Sequence, residues 1–422
     1  MGERGYYRNY VLVALTLASI LSIADRLILS IMLEDIKAEF ALSDSQIGLI
    51  TGLAFTSFYV LFGMPIARLA DRSNRKNIIS VAIAVWSLMT ALCGAAVGFW
   101  SLFIARMGVG VGEAGGTGSS TSILADYFHR HELSRAMGVF SLGSTLGTAA
   151  GLMVGGYFAD LLGWRMAFVA LGVPGIVFGL IVFLTVKEPE RGRLHRAEDG
   201  VDKPTGLKAT LADLARNTVY VRLTIAYALA IVVGYAFATW LASIMARKFG
   251  ISTANIGFYL GLAFILGGIP GPLFGGWLAD RLARRNPRWR AWLAAIGTLG
   301  CLPIYALCLA SGSLWTFLGL FALGYLIYLF LQPTTLSLIQ LSVAPSQRAF
   351  AVSVTMLFNN VIGQAVGAYV IGRMSDALSP TYGPLSLGYA VMATCVIFGV
   401  PGALAYVWTA AAIDPRPAKP PE

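Results

Sequence analysis

At 422 residues, 57% of them hydrophobic and only 12% charged, the chain holds more apolar surface than a water-soluble core can hide, which excludes an ordinary soluble domain. A formal net charge of +10 does not signal a nucleic-acid partner, because the basic residues cluster between apolar runs, as membrane orientation requires. Neither a metal nor a cofactor is expected: Cys93, Cys301, Cys308 and Cys395 sit inside apolar segments without zinc or redox spacing, and His129, His131 and His195 sit in polar connections.

With about 20 apolar residues per crossing, the chain divides into spans near 9–33, 45–70, 77–98, 100–127, 133–161, 164–186, 217–247, 253–279, 289–310, 313–343, 347–376 and 385–411. The expectation is an all-α membrane protein of twelve transmembrane helices. The first run is too long for a signal-peptide core and contains Asp25 and Arg26, so it reads as the first span. Between spans six and seven lies a polar stretch with Pro189, Pro204 and charges of both signs. That divides the chain into a six-helix bundle over 1–186, a cytoplasmic linker over 187–216 and a second six-helix bundle over 217–422.

Loop charges predict the orientation. Arg4, Arg8, Arg68, Arg72, Arg75, Lys76, Arg130, Arg135, Arg281, Arg284, Arg285, Arg288, Arg290 and Arg348 fall on one side, whereas the 34–44 loop has Glu34, Asp35, Glu39 and Asp44 against Lys37. Both termini are therefore expected in the cytoplasm, with Arg247 and Lys248 as an exception on the outer side. The halves also echo each other: Ala67 to Lys76 after span two matches Gly276 to Arg285 after span eight, and Ser134-Arg135-Ala136 matches Gln347-Arg348-Ala349, at offsets of 209 and 213 residues. Such a parallel duplication permits two bundles to rock about a substrate path.

Charges inside the spans carry the mechanistic expectation. Arg106 and Glu113 lie seven residues apart in a glycine-packed run, on one face of a helix and about 10 Å apart along its axis. Asp25 and Arg26 come to similar depth on span one. Intramembrane charges are costly and are kept where they pair, face water or titrate. Proton coupling is expected at Glu113 first and Asp25 second, held by Arg26 and Arg106, with a direct contact of Arg26 with Glu113 or of Asp25 with Arg106. The second half lacks such charges and offers Tyr235, Phe237, Trp240, Phe330, Gln332, Phe358, Asn359, Asn360 and Gln364, an aromatic and amide set suited to an amphiphile with one polar end. At the inner ends of the helices, Asp71, Arg72, Arg75, Arg135 and Asp280 are expected to act as gate residues that tie the bundles together when that side is closed.

The paired loops of form G-x-x-x-D-R-x-x-R-K/R resemble the signature of the major facilitator superfamily, with Ala67 in the place of the usual first glycine. Asp25-Arg26, Gly110-Val-Gly-Glu113-Ala114, Ala125-Asp126, Trp164-Arg165 and Glu188-Pro-Glu-Arg-Gly192 together resemble a bacterial Spinster member. The resemblance implies the major facilitator fold, participation of both Asp25 and Glu113, a lysophospholipid or sphingoid phosphate as substrate, and residence in the bacterial inner membrane. Gly143 to Thr148 has the glycine spacing of an antiporter motif but lacks its proline, so symport and antiport both remain open. From the residues alone, a small organic anion is an equal substrate class to a lipid, and a monomer is expected. An ATP-driven pump is excluded by the lack of a phosphate-binding loop. A membrane enzyme has no Ser-His-Asp set or histidine cluster to rest on, and a receptor has no long soluble signalling domain.

Overall fold

The computed structural model describes residues 2–190, 207–344 and 347–413. Most of the expected linker, with His195, lies outside the described residues, as do the side chains of Asp71 and His131. Among the described residues the regular structure is helical, without a strand. The helices of the amino-terminal half are α1 (Gly2–Ile31), α2 (Leu33–Phe40), α3 (Asp44–Gly48), α4 (Phe55–Arg72), α5 (Arg75–Cys93), α6 (Phe99–Glu113), α7 (Gly116–Tyr127), α8 (Arg130–Leu162) and α9 (Trp164–Thr185). After α10 (Leu207–Arg216) follow α11 (Thr218–Phe249), α12 (Thr253–Gly268), α13 (Pro270–Ala283), α14 (Trp289–Ala310), α15 (Leu314–Tyr328), α16 (Leu331–Ser342), α17 (Arg348–Asn359), α18 (Gly367–Tyr382) and α19 (Ser386–Ala412).

Ten stretches among the described residues are long and apolar enough to cross a bilayer. The last, Phe350–Ala412, has 63 residues, far beyond the roughly 20 that one crossing needs. Trp100, Leu161 and Leu184 are each more than 60% exposed. Such large apolar surface is a liability in water and at home against acyl chains.

The continuous helix expected over 100–127 is interrupted. The chain turns at Ala114 and Gly115, so α6 ends on Glu113 and α7 starts afresh at Gly116. Six glycines between 108 and 118 explain the weakness, since each lowers helix stability by about 1 kcal/mol relative to alanine. Two π-helical segments also interrupt helices, Leu49–Ala54 before α4 and Asn360–Val366 before α18. Local start signals are clear elsewhere. Ser43 and Gln46 form a reciprocal capping box at α3, and the Asn74 side chain accepts from Asn77 N at the start of α5.

Contacts group the chain into two compact units, one of Met1–Gly200 with Leu241–Leu262 and one of Val201–Trp240 with Ala263–Glu422. In the first, α1 packs along α8 and α5 along α9 and α6, around a core that includes Leu15, Phe55, Ile83, Trp86, Val109 and Phe140. The outer-side exception Arg247 has its explanation within this unit. Its guanidinium grips both carboxylate oxygens of Asp44, at 2.6 and 2.9 Å, and reaches Glu34 at 2.8 Å. In the second unit α14 packs on α15 and α19, and Phe237, Phe264, Tyr305, Phe321 and Tyr325 form a contiguous ring cluster.

Candidate functional site: an intramembrane charge cluster

Close helix approach builds the site. A Cβ at Gly110 would stand 2.3 Å from the carbonyl oxygen of Phe55, and one at Gly112 would stand 2.5 Å from the Trp86 nitrogen. Only glycine lets α6 lie against the main chains of α4 and α5 at these two points. Glu113 then falls at the last residue of α6 with its carboxylate fully enclosed.

One oxygen of Glu113 is doubly bound. Arg26 Nε donates to Glu113 Oε2 at 2.6 Å and Ser22 Oγ donates to the same atom at 2.9 Å. Ser22 and Arg26 stand four residues apart on α1 and therefore share a face. The expected contact of Arg26 with Glu113 is present. The other oxygen, Oε1, is buried without a hydrogen-bond partner.

Asp25, the neighbour of Arg26, points elsewhere. Its carboxylate accepts from Thr90 Oγ1 of α5 at 3.1 Å, and Arg106 Nη1 donates at 3.3 Å to the main-chain carbonyl of Asp25. Arg106 thus meets Asp25 through its backbone. The two guanidiniums share one aromatic ring: Arg26 lies 4.6 Å and Arg106 5.5 Å from the centre of Phe55, and Arg26 is 5.1 Å from Tyr59. The quadrupole of that ring attracts both cations. Asp25, Arg26, Arg106 and Glu113 carry no net formal charge together, which keeps their burial affordable in a bilayer.

Burial separates the expected substrate residues into two groups. Phe237 is packed on Tyr305 at 4.0 Å between centroids, and it, Trp240 and Phe330 are buried. All three rings are packed against neighbouring side chains. Tyr235 and Asn360 are joined, Tyr235 Oη donating to Asn360 Oδ1 at 3.1 Å, and Gln364 follows on the π-helical segment. Asn359 is buried with neither amide atom paired, and Gln364 Oε1 is likewise unpaired. Phe358 and Gln332 are exposed.

Arg75 is buried in the first unit, bound to Asp126 at 2.7 Å, Glu188 at 2.7 Å and Ser122 Oγ at 2.8 Å. Asp280 pairs with Arg290 at 3.1 Å on the surface, and Arg72 and Arg135 are exposed. Among the described residues no group of three or more His, Cys, Asp or Glu is arranged to hold a metal.

Ser22, Thr90 and Phe55 escaped the sequence reading. Ser22 had a signal, being one turn from Arg26; Thr90 and Phe55 had none, because their partners come from other helices.

The comparisons with known proteins come to the same place. The family model described as Major Facilitator Superfamily matches residues 15–368. The chain is 34% identical to a protein of Mycolicibacterium smegmatis named MFS-type efflux pump, over 94% of this chain and 91% of that one. It is 29% identical to human Protein spinster homolog 1, covering 96% of this chain and 81% of the relative. Among solved structures it matches a bacterial homologue of the human lysosomal transporter Spinster, in an inward-facing and unoccupied conformation, with a TM-score of 0.86 and 29% identity over 96% of this chain and 97% of that one. The chain therefore belongs to the major facilitator superfamily, and it is a multi-pass membrane transporter, not an enzyme, of the Spinster type.

Proposed function

We propose that this protein is a proton-coupled secondary active transporter of a lipid-like amphiphile, such as a lysophospholipid or sphingoid phosphate. It would work by alternating access in the bacterial inner membrane, with twelve crossings in two six-helix bundles and both termini cytoplasmic. The observation that carries the reading is the Glu113 carboxylate, enclosed beside Arg26 with its second oxygen unpaired. Burial favours the protonated acid, and a neighbouring guanidinium favours the carboxylate. A small change in the distance between Glu113 and Arg26 therefore shifts proton affinity. Protonation of Glu113 would free Arg26 to meet another anion, which links proton arrival to substrate handling. Asp25 would be the second acid, and Arg106 would hold it through the main chain.

The substrate side would rest on Tyr235, Asn359, Asn360 and Gln364, with Phe237, Trp240, Phe330, Gln332 and Phe358 as further members of the set, since unpaired amides buried in a membrane protein need a polar partner. Asp71, Arg72, Arg135 and Asp280 would serve the inner gate, with Arg75 bracing it from within the first unit. The guanidinium of Arg26, at 17% side-chain exposure, also suits a small organic anion, the second substrate class to be tested.

The test is uptake into proteoliposomes of lysophospholipids, sphingoid phosphates and small organic anions, with and without a pH gradient. Glu113→Gln should abolish gradient-driven accumulation and retain counterflow exchange in part, because the amide preserves shape and cannot carry the proton. A Glu113→Gln protein that still concentrates substrate removes Glu113 as the obligatory carrier.

A further inference from the structure

A small cavity lies beside the charge cluster, with a volume of about 10 Å³. That is room for one water molecule. Its walls include the hydroxyl residues Ser19 and Ser22 of α1 and Thr117 and Ser120 of α7, with Trp86 of α5 and Gly116. An apolar void of this size stays dry, whereas a water needs two to four polar partners. The walls supply four hydroxyl-bearing side chains. Trp86 of α5 also lines the cavity, and its indole N–H is buried without a hydrogen-bond partner. Ser22 is the shared member: it lines the cavity and donates to Glu113 Oε2 at 2.9 Å.

Direction follows from chain order. α1 begins at the end of the bundle that carries the amino terminus, and Ser19 precedes Ser22 on it. The chain leaves Glu113 toward that same end, through Gly116, Thr117 and Ser120. The cavity therefore lies between Glu113 and the side that the loop charges predict to be cytoplasmic.

We infer that this cavity is a binding site for a single water, and that Ser22 relays protons between this water and Glu113. A proton arriving on the water passes to Ser22 Oγ as the proton already on Ser22 passes to Glu113 Oε2. The water and the serine end neutral and unchanged, and Glu113 ends as the neutral acid, its bond to Arg26 weakened. The titratable groups around the carboxylate are Asp25 and Arg26 of α1 and Arg106 of its own helix; what meets the cluster from α4 and α5 is Phe55, Tyr59, Trp86, Thr90 and the buried thiol Cys93, none of which carries charge at neutral pH. The inference rests on Glu113 being the proton site and adds the route by which it is reached.

The experiment needs no transported substrate. Time-resolved infrared spectroscopy after a pH jump, on the purified full-length protein in lipid, follows the carboxyl stretch assigned to Glu113 by its loss in Glu113→Gln. In Ser22→Ala the protonation rate should fall about tenfold or more, since a positioned proton-transfer group contributes at least that much. Ser22→Thr, which restores a hydroxyl, should recover most of the rate. Gly116→Ala places a methyl group 3.2 Å from Trp86 Cζ3 in the cavity wall and should slow protonation without touching Arg26 or Glu113, so it serves if Ser22→Ala fails to fold. A Glu113 band that rises at the wild-type rate in Ser22→Ala and Gly116→Ala overturns the relay and leaves the proton site standing. A wild-type protein in which no Glu113 band rises on acidification overturns both.

Discussion

Arg75 offers a measurable account of what holds the first unit together at the end where α5 begins. The side chain is 5% exposed and links three parts of the chain: α5, where it is the first helical residue; α7, through Asp126 and Ser122; and the segment after α9, through Glu188. Glu188 does a second task, because its Oε2 accepts from Lys76 N at 2.9 Å, placing a negative charge on the exposed amides at the start of α5. Arg75→Ala would take the guanidinium from two carboxylates, Asp126 at 9% side-chain exposure and Glu188 at 20%. Breaking a buried pair costs about 3–5 kcal/mol, most of it from the charge left behind. Glu188 has access to solvent, so the lower end of that range, about 3 kcal/mol, is the expected loss. For a unit of this size the thermal midpoint should fall by on the order of 10 °C. Asp126→Asn, which keeps an acceptor and leaves Glu188 in place, should cost less. Thermal unfolding of the detergent-solubilised protein, followed by tryptophan fluorescence at low and high salt, measures both. A loss for Arg75→Ala under about 1 kcal/mol, the value of an exposed pair, refutes the reasoning.

Two further outcomes follow from the packing. Arg247→Ala removes the common partner of Glu34 and Asp44 and should lower stability by about 2 kcal/mol, between the values for exposed and buried pairs; an unchanged midpoint would show the cluster to be solvated. Gly112→Ala pushes a methyl group to 2.5 Å from the Trp86 nitrogen, where main chain cannot rotate aside, and should cost about 1–3 kcal/mol. Gly118→Ala, with nothing within 4 Å of the added atom, is the control and should be neutral or stabilising by up to about 1 kcal/mol. Equal effects of the two glycine substitutions on the midpoint would remove the close-packing explanation.

Much of this protein was legible from one sequence, and the physical reason is the bilayer. A lipid environment forces every span to be a long apolar helix, so composition and length reveal the helices, and each intramembrane charge stands out against that background. Asp25, Arg26, Arg106 and Glu113 were visible for that reason, and Arg26 with Glu113 was expected as a pair. Partner choice was less legible. Adjacent residues on a helix point in different directions, so Asp25 turns to Thr90 and Arg26 to Glu113, and only the placement of α1, α5 and α6 decides which acid meets which guanidinium. The break after Glu113 has its cause in the glycines around it, but the apolar run continues across them, so hydropathy reads a single span over 100–127. Placement also decides the aromatic residues of the second half. Phe237 and Tyr235 differ by two positions, yet one is buried in a ring cluster and the other reaches Asn360, because burial is set by neighbours from α14 and α15. Local chemistry thus determined which residues were costly to place in a membrane, and tertiary packing determined what each one touches.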